Sequence, residues 1–331
     1  MQAVAITPEM FQGAVSVETG DGWVRPHRLP HTLAPVLNEG LMARATMTSG
    51  VRLRLDTDST TIALVTDGYE DKGSCDITID NEIVASSPVV EGTKTVEFAP
   101  LKPGPKVLEL WLPTHTAATL KHLLIDDGCY AKPSEDTRLR WVTYGSSITH
   151  CNAAHSAARS WPAVVARSAD LHLTCLGFGG QCHLDPLVAT TIRDLKADLI
   201  SLKVGINIYG NSSLSRRSFA PNIMGFVQII REKHPTTPIA VLSPIVSPPR
   251  ETTENSVSLT LVQMREMVAE AVDKLTALGD RHILYANGLT LFDAPDIANL
   301  PDNLHPNGDG YELMGKRFYE TVLPRMLSLR A

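Results

Sequence analysis

The segment Leu139-Arg-Trp-Val-Thr-Tyr-Gly-Ser-Ser-Ile-Thr-His150 begins as a buried strand, turns at a glycine and two serines, and continues as a helix. Beyond it, strand-like runs at 171–176, 198–204, 238–242 and 282–286 alternate with helix-like runs at 161–168, 186–195, 219–233, 256–278 and 308–327. This alternation predicts an α/β domain, in which a parallel sheet is covered by helices on both faces. Ligands of such sheets bind beyond the carboxyl ends of the strands, so the residues that follow each strand are the candidates for chemistry.

The part of the chain before Leu139 has a different pattern, with short extended runs separated by turn residues. Val51-Arg-Leu-Arg-Leu55 alternates apolar and charged residues, and further runs lie at 61–66, 75–79, 95–98, 107–112 and 122–125. Regularly spaced strands without helical patterns predict an all-β sandwich of the jelly-roll kind for residues 1–130. The polar segment 131–138 is predicted to be a linker, and residues 139–331 are predicted to form the second domain.

Composition excludes several classes of protein. The chain has 331 residues, of which 43% are hydrophobic and 20% charged, as is typical of a folded protein. The net charge is −6 and no run is rich in Lys or Arg, so we expect no nucleic-acid partner. No stretch approaches the roughly 20 apolar residues that span a bilayer and no export signal is evident, so we expect a cytoplasmic protein without a membrane partner. Five cysteines then predict thiols rather than a disulfide framework, and the oligomeric state stays open.

The residues at the strand ends, together with a later Asp-x-x-His, resemble the four motif blocks of the SGNH hydrolases, also called GDSL esterases and lipases. The blocks of that family occur in the order Ser, Gly, Asn, His, and they match Ser147, Gly180, Asn207 and His305. The resemblance covers residues 139–331. Two positions depart from the usual pattern, because Ser146 stands where the family has Asp in Gly-Asp-Ser-Leu, and Ile208 stands where Asp often follows the Asn.

This resemblance implies a flavodoxin-like three-layer domain and a serine esterase without metal or organic cofactor. Ser147 would be the nucleophile and His305 the base that takes its proton, with Asp302 fixing the tautomer of the imidazole. The backbone N–H groups of Ser147 and Gly180 and the side-chain amide of Asn207 would stabilise the negative charge that develops on the attacked carbonyl oxygen.

Several interpretations of function remain open from the sequence. The first is hydrolysis of a small acyl ester of the acetyl type, on a carbohydrate such as an acylated sugar or on a natural product. An acyltransferase would use the same acyl-enzyme, and a binding protein for glycans or other ligands could retain the fold without catalysis. The β domain either supports the catalytic domain and one wall of its cleft or binds glycans.

Residues next to the motif blocks are the candidates for the substrate pocket. They are His150, Gln181 and His183. The pairs His150-Cys151 and Cys182-His183 lack the spacing that places ligands on one face, so we expect no zinc site. A thiol mechanism through Cys151 or Cys182 is disfavoured because the serine set already uses His305.

Overall fold

The computed structural model describes residues 1–330, which divide into two compact units. The first unit comprises Met1–Arg138 and Ser156–Cys175, and the second comprises Leu139–His155 and the chain from Leu176 onward. The segment Ser156–Cys175 therefore groups with the first unit, whereas the sequence pattern suggested one division of the chain before Leu139.

Residues 1–138 form two antiparallel sheets. The elements are β1 (Gln2–Ala5), β2 (Phe11–Gln12), β3 (Ser16–Gly20), β4 (Trp23–His27), α1 (Glu39–Ala45), β5 (Arg52–Thr57), β6 (Ile62–Thr66), β7 (Gly73–Ile79), β8 (Glu82–Val89), β9 (Thr95–Phe98), β10 (Lys106–Trp111), β11 (Leu120–Ile125) and β12 (Ala131–Pro133). One sheet has the order β3-β4-β11-β6-β9 with β1 beside β11, and the other has the order β12-β5-β10-β7-β8 with β2 beside β5. Leu53 and Leu110 of one sheet share a buried core with Leu64 and Leu123 of the other, so the predicted sandwich is confirmed.

The segment 131–138, which was predicted to be a linker, is ordered. Its first residues form β12, which pairs with β5 from Ala131 opposite Thr57. Near its end, Arg138 forms ion pairs with Asp136 and Glu109, whose side chains are both 6% exposed. Burial alone would raise the pKa of Glu109, but Arg52 and Arg138 outweigh it and lower that pKa. The charged side chains of Asp136 and Arg138 can be buried because they form ion pairs.

The chain beyond Arg138 alternates strands and helices. The elements are β13 (Leu139–Gly145), α2 (Ser147–His150), α3 (Trp161–Ser168), β14 (Leu171–Gly177), α4 (Pro186–Asp194), β15 (Leu199–Lys203), α5 (Ile206–Asn211), α6 (Phe219–Arg231), β16 (Ile239–Leu242), α7 (Leu261–Ala277), β17 (Ile283–Ala286), α8 (Gly308–Arg317), a π-helical turn (Phe318–Val322) and α9 (Leu323–Ser328). The sheet has the order β14-β13-β15-β16-β17, and β13, β15, β16 and β17 pair in parallel. Strand order reverses at β13, and such a switch point is where open α/β sheets bind ligands.

Aromatic contacts place helices on both faces of this sheet. Trp141 and Tyr144 are three residues apart on β13, so their side chains leave opposite faces. The ring of Trp141 lies 5.2 Å from that of Phe318 in the π-helical turn, and the ring of Tyr144 lies 5.1 Å from that of Phe226 on α6. The domain is therefore a three-layer α/β fold, as predicted.

The helix predicted at residues 256–278 begins later in the structure. The run 256–278 was expected to be helical, but α7 begins at Leu261. Thr260 caps the helix by accepting a hydrogen bond from the backbone N–H of Gln263, whose side chain accepts one from the backbone N–H of Thr260. Across residues 1–330, no helix combines the length and the apolar character that crossing a membrane requires.

Candidate active site

The turn between β13 and α2 presents Ser147 at the first position of a helix. Ser146 precedes it, and its Oγ accepts a hydrogen bond of 3.2 Å from the backbone N–H of Ile148. The serine that replaces the usual aspartate therefore caps the helix. Because Ser147 is the first helical residue, its own backbone N–H has no partner within the helix.

Ser147, His305 and Asp302 form a continuous chain of hydrogen bonds. Ser147 Oγ lies 2.8 Å from His305 Nε2, and His305 Nδ1 lies 2.6 Å from Asp302 Oδ2. Asp302 Oδ1 also accepts a 2.7 Å bond from the backbone N–H of His305, which fixes the carboxylate relative to the ring. With Nδ1–H donating to Asp302, Nε2 is left as an acceptor for the hydroxyl of Ser147.

The charge on Asp302 is stabilised by the same contacts. Burial would raise the pKa of its carboxyl group, but hydrogen bonds from the side chain and backbone of His305 outweigh burial and lower that pKa. The residue is consequently an ionised partner for the imidazole.

A glycine turn, formed by Gly179 and Gly180, lies against Ser147. A Cβ placed on Gly179 would be 3.6 Å from the Cβ of Ser147, and Gly180 has φ +75°, a conformation that side chains disfavour. Within residues 1–330, the backbone N–H groups of Ser147 and Gly180 donate to no protein acceptor. Two donors beside the hydroxyl of Ser147 are thus available to a ligand.

Asn207 lies in the first turn of α5, after the carboxyl end of β15. Its Oδ1 accepts a 3.1 Å hydrogen bond from the backbone N–H of Cys182. This contact sets the orientation of the amide and keeps its two N–H donors for other partners. Ile208, which stands at the family's aspartate position, is fully buried.

Two of the three residues predicted for the substrate pocket, His150 and His183, form hydrogen bonds to other protein groups. His150 is fully buried, and its Nδ1 accepts a 3.3 Å bond from the backbone N–H of Gly179. The ring of His183 is held between Ser213 Oγ at 2.8 Å and the carbonyl oxygen of Gly180 at 3.1 Å. Both histidines therefore contact the glycine turn beside Ser147.

A cavity of about 320 Å³ opens beside the Ser147 hydroxyl. It is lined by Ser147, Asn152, Ala153, Pro301, Asp302, His305 and Tyr311. None of the predicted pocket residues His150, Gln181 and His183 lines this cavity. The sequence analysis did not predict four lining residues, namely Asn152, Ala153, Pro301 and Tyr311. They belong to no motif and come together only through the packing of the loops.

Cys151 and Cys182, which follow the first two motif blocks, are buried free thiols. Over the described residues, no cluster of three or more His, Cys, Asp or Glu side chains could hold a metal ion, and no cysteine forms a disulfide. Burial raises the pKa of Cys182 to about 12, against an opposing hydrogen bond from Tyr144, so its thiol stays protonated.

Comparisons with known proteins identify relatives of both parts of the chain. The family model described as "GDSL-like Lipase/Acylhydrolase family" matches residues 139–323, and the one described as "SsfX3, N-terminal domain" matches residues 9–121. The chain is similar to the salicylyl-acyltransferase SsfX3 from a tetracycline biosynthetic pathway, at 31% identity and TM-score 0.92, over 100% of this chain and 99% of that one. It is also similar to a putative GDSL-like lipase from Bacteroides ovatus, at 20% identity and TM-score 0.80, over 99% and 98% of the two chains.

A more distant similarity extends to a family two carbohydrate esterase from Cellvibrio japonicus. The identity is 16% and the TM-score 0.68, over 99% of this chain and 98% of that one. Among curated proteins, the comparison gave no match.

Proposed function

Because the chain belongs to the GDSL-like lipase/acylhydrolase family, we propose that it transfers acyl groups through a covalent intermediate on Ser147. The observation that carries this proposal is the hydrogen-bonded chain from Ser147 Oγ through His305 to Asp302, with distances of 2.8 and 2.6 Å. A serine hydroxyl is a weak nucleophile at neutral pH, and an adjacent base in this arrangement activates it.

In the first half of the reaction, His305 Nε2 accepts the proton of Ser147 Oγ while that oxygen attacks the acyl carbonyl carbon. Asp302 stabilises the imidazolium that forms, through the bond to Nδ1–H. The tetrahedral intermediate collapses when the bond to the leaving alcohol or thiol breaks, and His305 returns the proton to the leaving group. The acyl group is then an ester of Ser147.

The negative charge of the tetrahedral oxygen requires donors that are already in place. We assign this role to the N–H groups of Ser147 and Gly180 and to the side-chain amide of Asn207. The support for the assignment is that both backbone groups lack a protein acceptor and that Cys182 holds the oxygen of the Asn207 amide. Each such donor is worth about 3 to 4 kcal/mol in the transition state.

In the second half, His305 activates the acceptor that attacks the acyl-enzyme. Water as acceptor makes the protein an esterase, and a substrate hydroxyl makes it an acyltransferase. The acyltransferase is the second candidate, and the full-length similarity to a salicylyl-acyltransferase favours it. We propose a small-molecule acyl donor, with a natural-product hydroxyl or a sugar as the acceptor to be tested.

Hydrolysis of p-nitrophenyl esters from acetate to octanoate, by wild type and Ser147→Ala, tests the proposal. We expect activity in the wild type and a loss of several orders of magnitude in the variant. Ser328→Ala, which changes an exposed serine of α9, is the matched control and should retain full activity. A fluorophosphonate should label Ser147 alone.

Added alcohols distinguish the two candidates. If the acyl-enzyme partitions to a sugar or phenolic acceptor faster than to water, the protein is a transferase. If the wild type neither hydrolyses any ester nor reacts with the fluorophosphonate, the catalytic proposal is wrong and a ligand-binding role replaces it.

A further inference from the structure

The cavity beside Ser147 has one polar side chain on its buried floor that the proposed mechanism does not use. Of its seven lining residues, Ser147, Asp302 and His305 have assigned roles, and Ala153 and Pro301 have apolar side chains. Asn152 is exposed at the rim, whereas Tyr311 is only 1% exposed. Tyr311 is therefore the candidate for a contact with the interior end of a bound acyl group.

The position of Tyr311 on α8 directs its side chain toward the active-site loop. Tyr311 lies in the first turn of the helix, where its backbone N–H donates to the carbonyl oxygen of Asn307. Helical side chains lean toward the helix N-terminus, which in α8 is the end that follows His305. The phenol thus points back toward the loop that holds His305 and Asp302.

The hydroxyl of Tyr311 has no hydrogen-bond partner within residues 1–330. Tyr311 also lines the cavity, so its side chain is within reach of a ligand bound there. Burial raises the pKa of Tyr311 well above its usual value, and the phenol consequently remains an O–H donor at every working pH. A buried donor left without an acceptor is costly, and a ligand oxygen would remove that cost.

The volume of the cavity exceeds the needs of an acetyl group. A water molecule occupies about 30 Å³ in the liquid, so about 320 Å³ corresponds to roughly ten waters. An acetyl group has only three non-hydrogen atoms, whereas a benzoyl group has eight. The cavity therefore has room for a ring-sized acyl group.

We propose that Tyr311 determines acyl specificity by donating a hydrogen bond to an oxygen substituent on a ring-sized acyl group. This inference rests on the proposed function, because it assigns the cavity to the acyl group of the Ser147 intermediate. The preferred donor is then a hydroxyaryl ester or thioester rather than the unsubstituted aryl compound. A site that hydrogen-bonds a substrate hydroxyl rejects the analogue that lacks it, and we expect a preference of at least about 10-fold.

The test compares matched thioesters of one thiol, N-acetylcysteamine, with benzoic acid and with its 2-hydroxy and 3-hydroxy derivatives. Tyr311→Phe removes only the hydroxyl, and Tyr319→Phe, at an exposed position in the following turn, is the control. Protection of Ser147 from a fluorophosphonate by phenylboronic and 3-hydroxyphenylboronic acids provides a second readout that needs no acceptor.

We expect wild type and Tyr319→Phe to prefer one hydroxylated compound in kcat/KM or in protection. Tyr311→Phe should lose that preference, mainly through a higher KM for the hydroxylated compound. Absence of a preference in the wild type overturns the inference, as does loss of the preference in Asn152→Ala but not in Tyr311→Phe. An equal loss for both acyl groups in Tyr311→Phe also overturns it. If Ser147 is not labelled in the wild type, the proposed function fails, whereas labelling without a preference refutes only the role of Tyr311.

Discussion

The side-chain oxygen of Asn207 accepts a hydrogen bond from the backbone N–H of Cys182 at 3.1 Å, so the orientation of the amide is set by the loop that follows Gly180. The nitrogen of the amide is consequently the atom that a substrate oxyanion can meet. One contact thus links two of the three proposed donors, since Cys182 is only two residues after Gly180 in the chain.

Asn207→Ala is expected to lower kcat by about 100- to 1000-fold with little change in KM, because the donor acts mainly in the transition state. Asn207→Asp should lower kcat further, since a carboxylate can still accept from Cys182 but has no donor and repels the oxyanion. Steady-state kinetics with a p-nitrophenyl ester measure both. Asn222→Ala on α6, where the amide donates to the carbonyl oxygen of Ser218, is the control. An unchanged kcat in Asn207→Ala would exclude Asn207 from the donor set.

Asp302→Asn should reduce kcat by about 10³- to 10⁴-fold, because an amide no longer fixes the imidazole in the productive tautomer. Asp309→Asn is a matched control four residues after His305, since Asp309 bonds His155 at 2.8 Å instead. We expect the control to stay within about threefold of wild type. A loss of similar size in both variants would indicate a general effect of charge in this loop.

The acidic limb of the pH profile of kcat/KM should have the slope expected for loss of a single proton. The pKa of Asp302 is lowered despite its burial, by hydrogen bonds from His305, so the carboxylate stays ionised on the acidic side of neutrality. We expect kcat/KM to rise tenfold per pH unit as the base loses its proton. The stability contributed by the Asp302 contacts is complete above the unfolded pKa of about 3.9 and is lost as pH falls through the lower folded value. A slope of two protons above pH 5 would contradict this assignment.

Gly177→Ala is expected to lower both stability and activity. A Cβ there would lie 2.4 Å from His150 N and 2.5 Å from Thr149 C, and these backbone atoms belong to the helix that presents Ser147. Overpacking of this kind costs about 1 to 3 kcal/mol. Gly225→Ala, in α6, meets nothing within 4 Å and should instead stabilise the protein by about 0.5 to 1 kcal/mol. Urea denaturation of both variants, with kcat measured alongside, checks the opposite signs.

Burial of Lys203 predicts how the free energy of unfolding changes at alkaline pH. The residue ends β15 and is 2% exposed, and its burial lowers the pKa of the ammonium to about 8, although Cys182 and Cys151 act in the opposite direction. Between about pH 8 and the ordinary lysine pKa of 10.5, the folded state loses its proton before the unfolded state, so the free energy of unfolding should rise with pH.

Lys203→Met should raise the free energy of unfolding at pH 7 by about 3 kcal/mol and remove that rise. Lys196→Met, at an exposed position seven residues earlier, should do neither. Denaturant titrations at pH 7, 9 and 10.5 measure the difference. A destabilised Lys203→Met protein at pH 7 would mean that the ammonium stabilises the fold.

The alternation of strands and helices after Leu139 was predictable, because apolar strand-like runs alternate with runs of helical periodicity. The start of α7 was predicted wrongly, even though Thr260-Leu-Val-Gln263 has the spacing of a capping box. The prediction extended the helical periodicity to residues 256–259, which precede the N-cap Thr260. The order of the segment 131–138 was not predictable from its polar composition, because Arg138 contacts Glu109, 29 residues earlier in the chain.

For the site, the residues that form the Ser147, Asp302 and His305 chain could be chosen from the sequence, whereas the cavity could not. His150 follows Ser147 by three residues, yet its ring is buried under the glycine turn, since proximity along the chain does not decide which side chain faces the ligand. Tyr311 and Pro301 belong to no motif, and their place in the cavity depends on how the loop before α8 packs against the loop after α2.

Ser147 and His305 are 158 residues apart in the chain, although their side chains are in contact. A ribosome adds about 5 to 20 residues per second, so roughly 8 to 32 s pass between synthesis of the nucleophile and synthesis of its base. During that interval the serine hydroxyl has no partner to activate it. Reactivity toward acyl donors is thereby withheld from the nascent chain until His305 has been made.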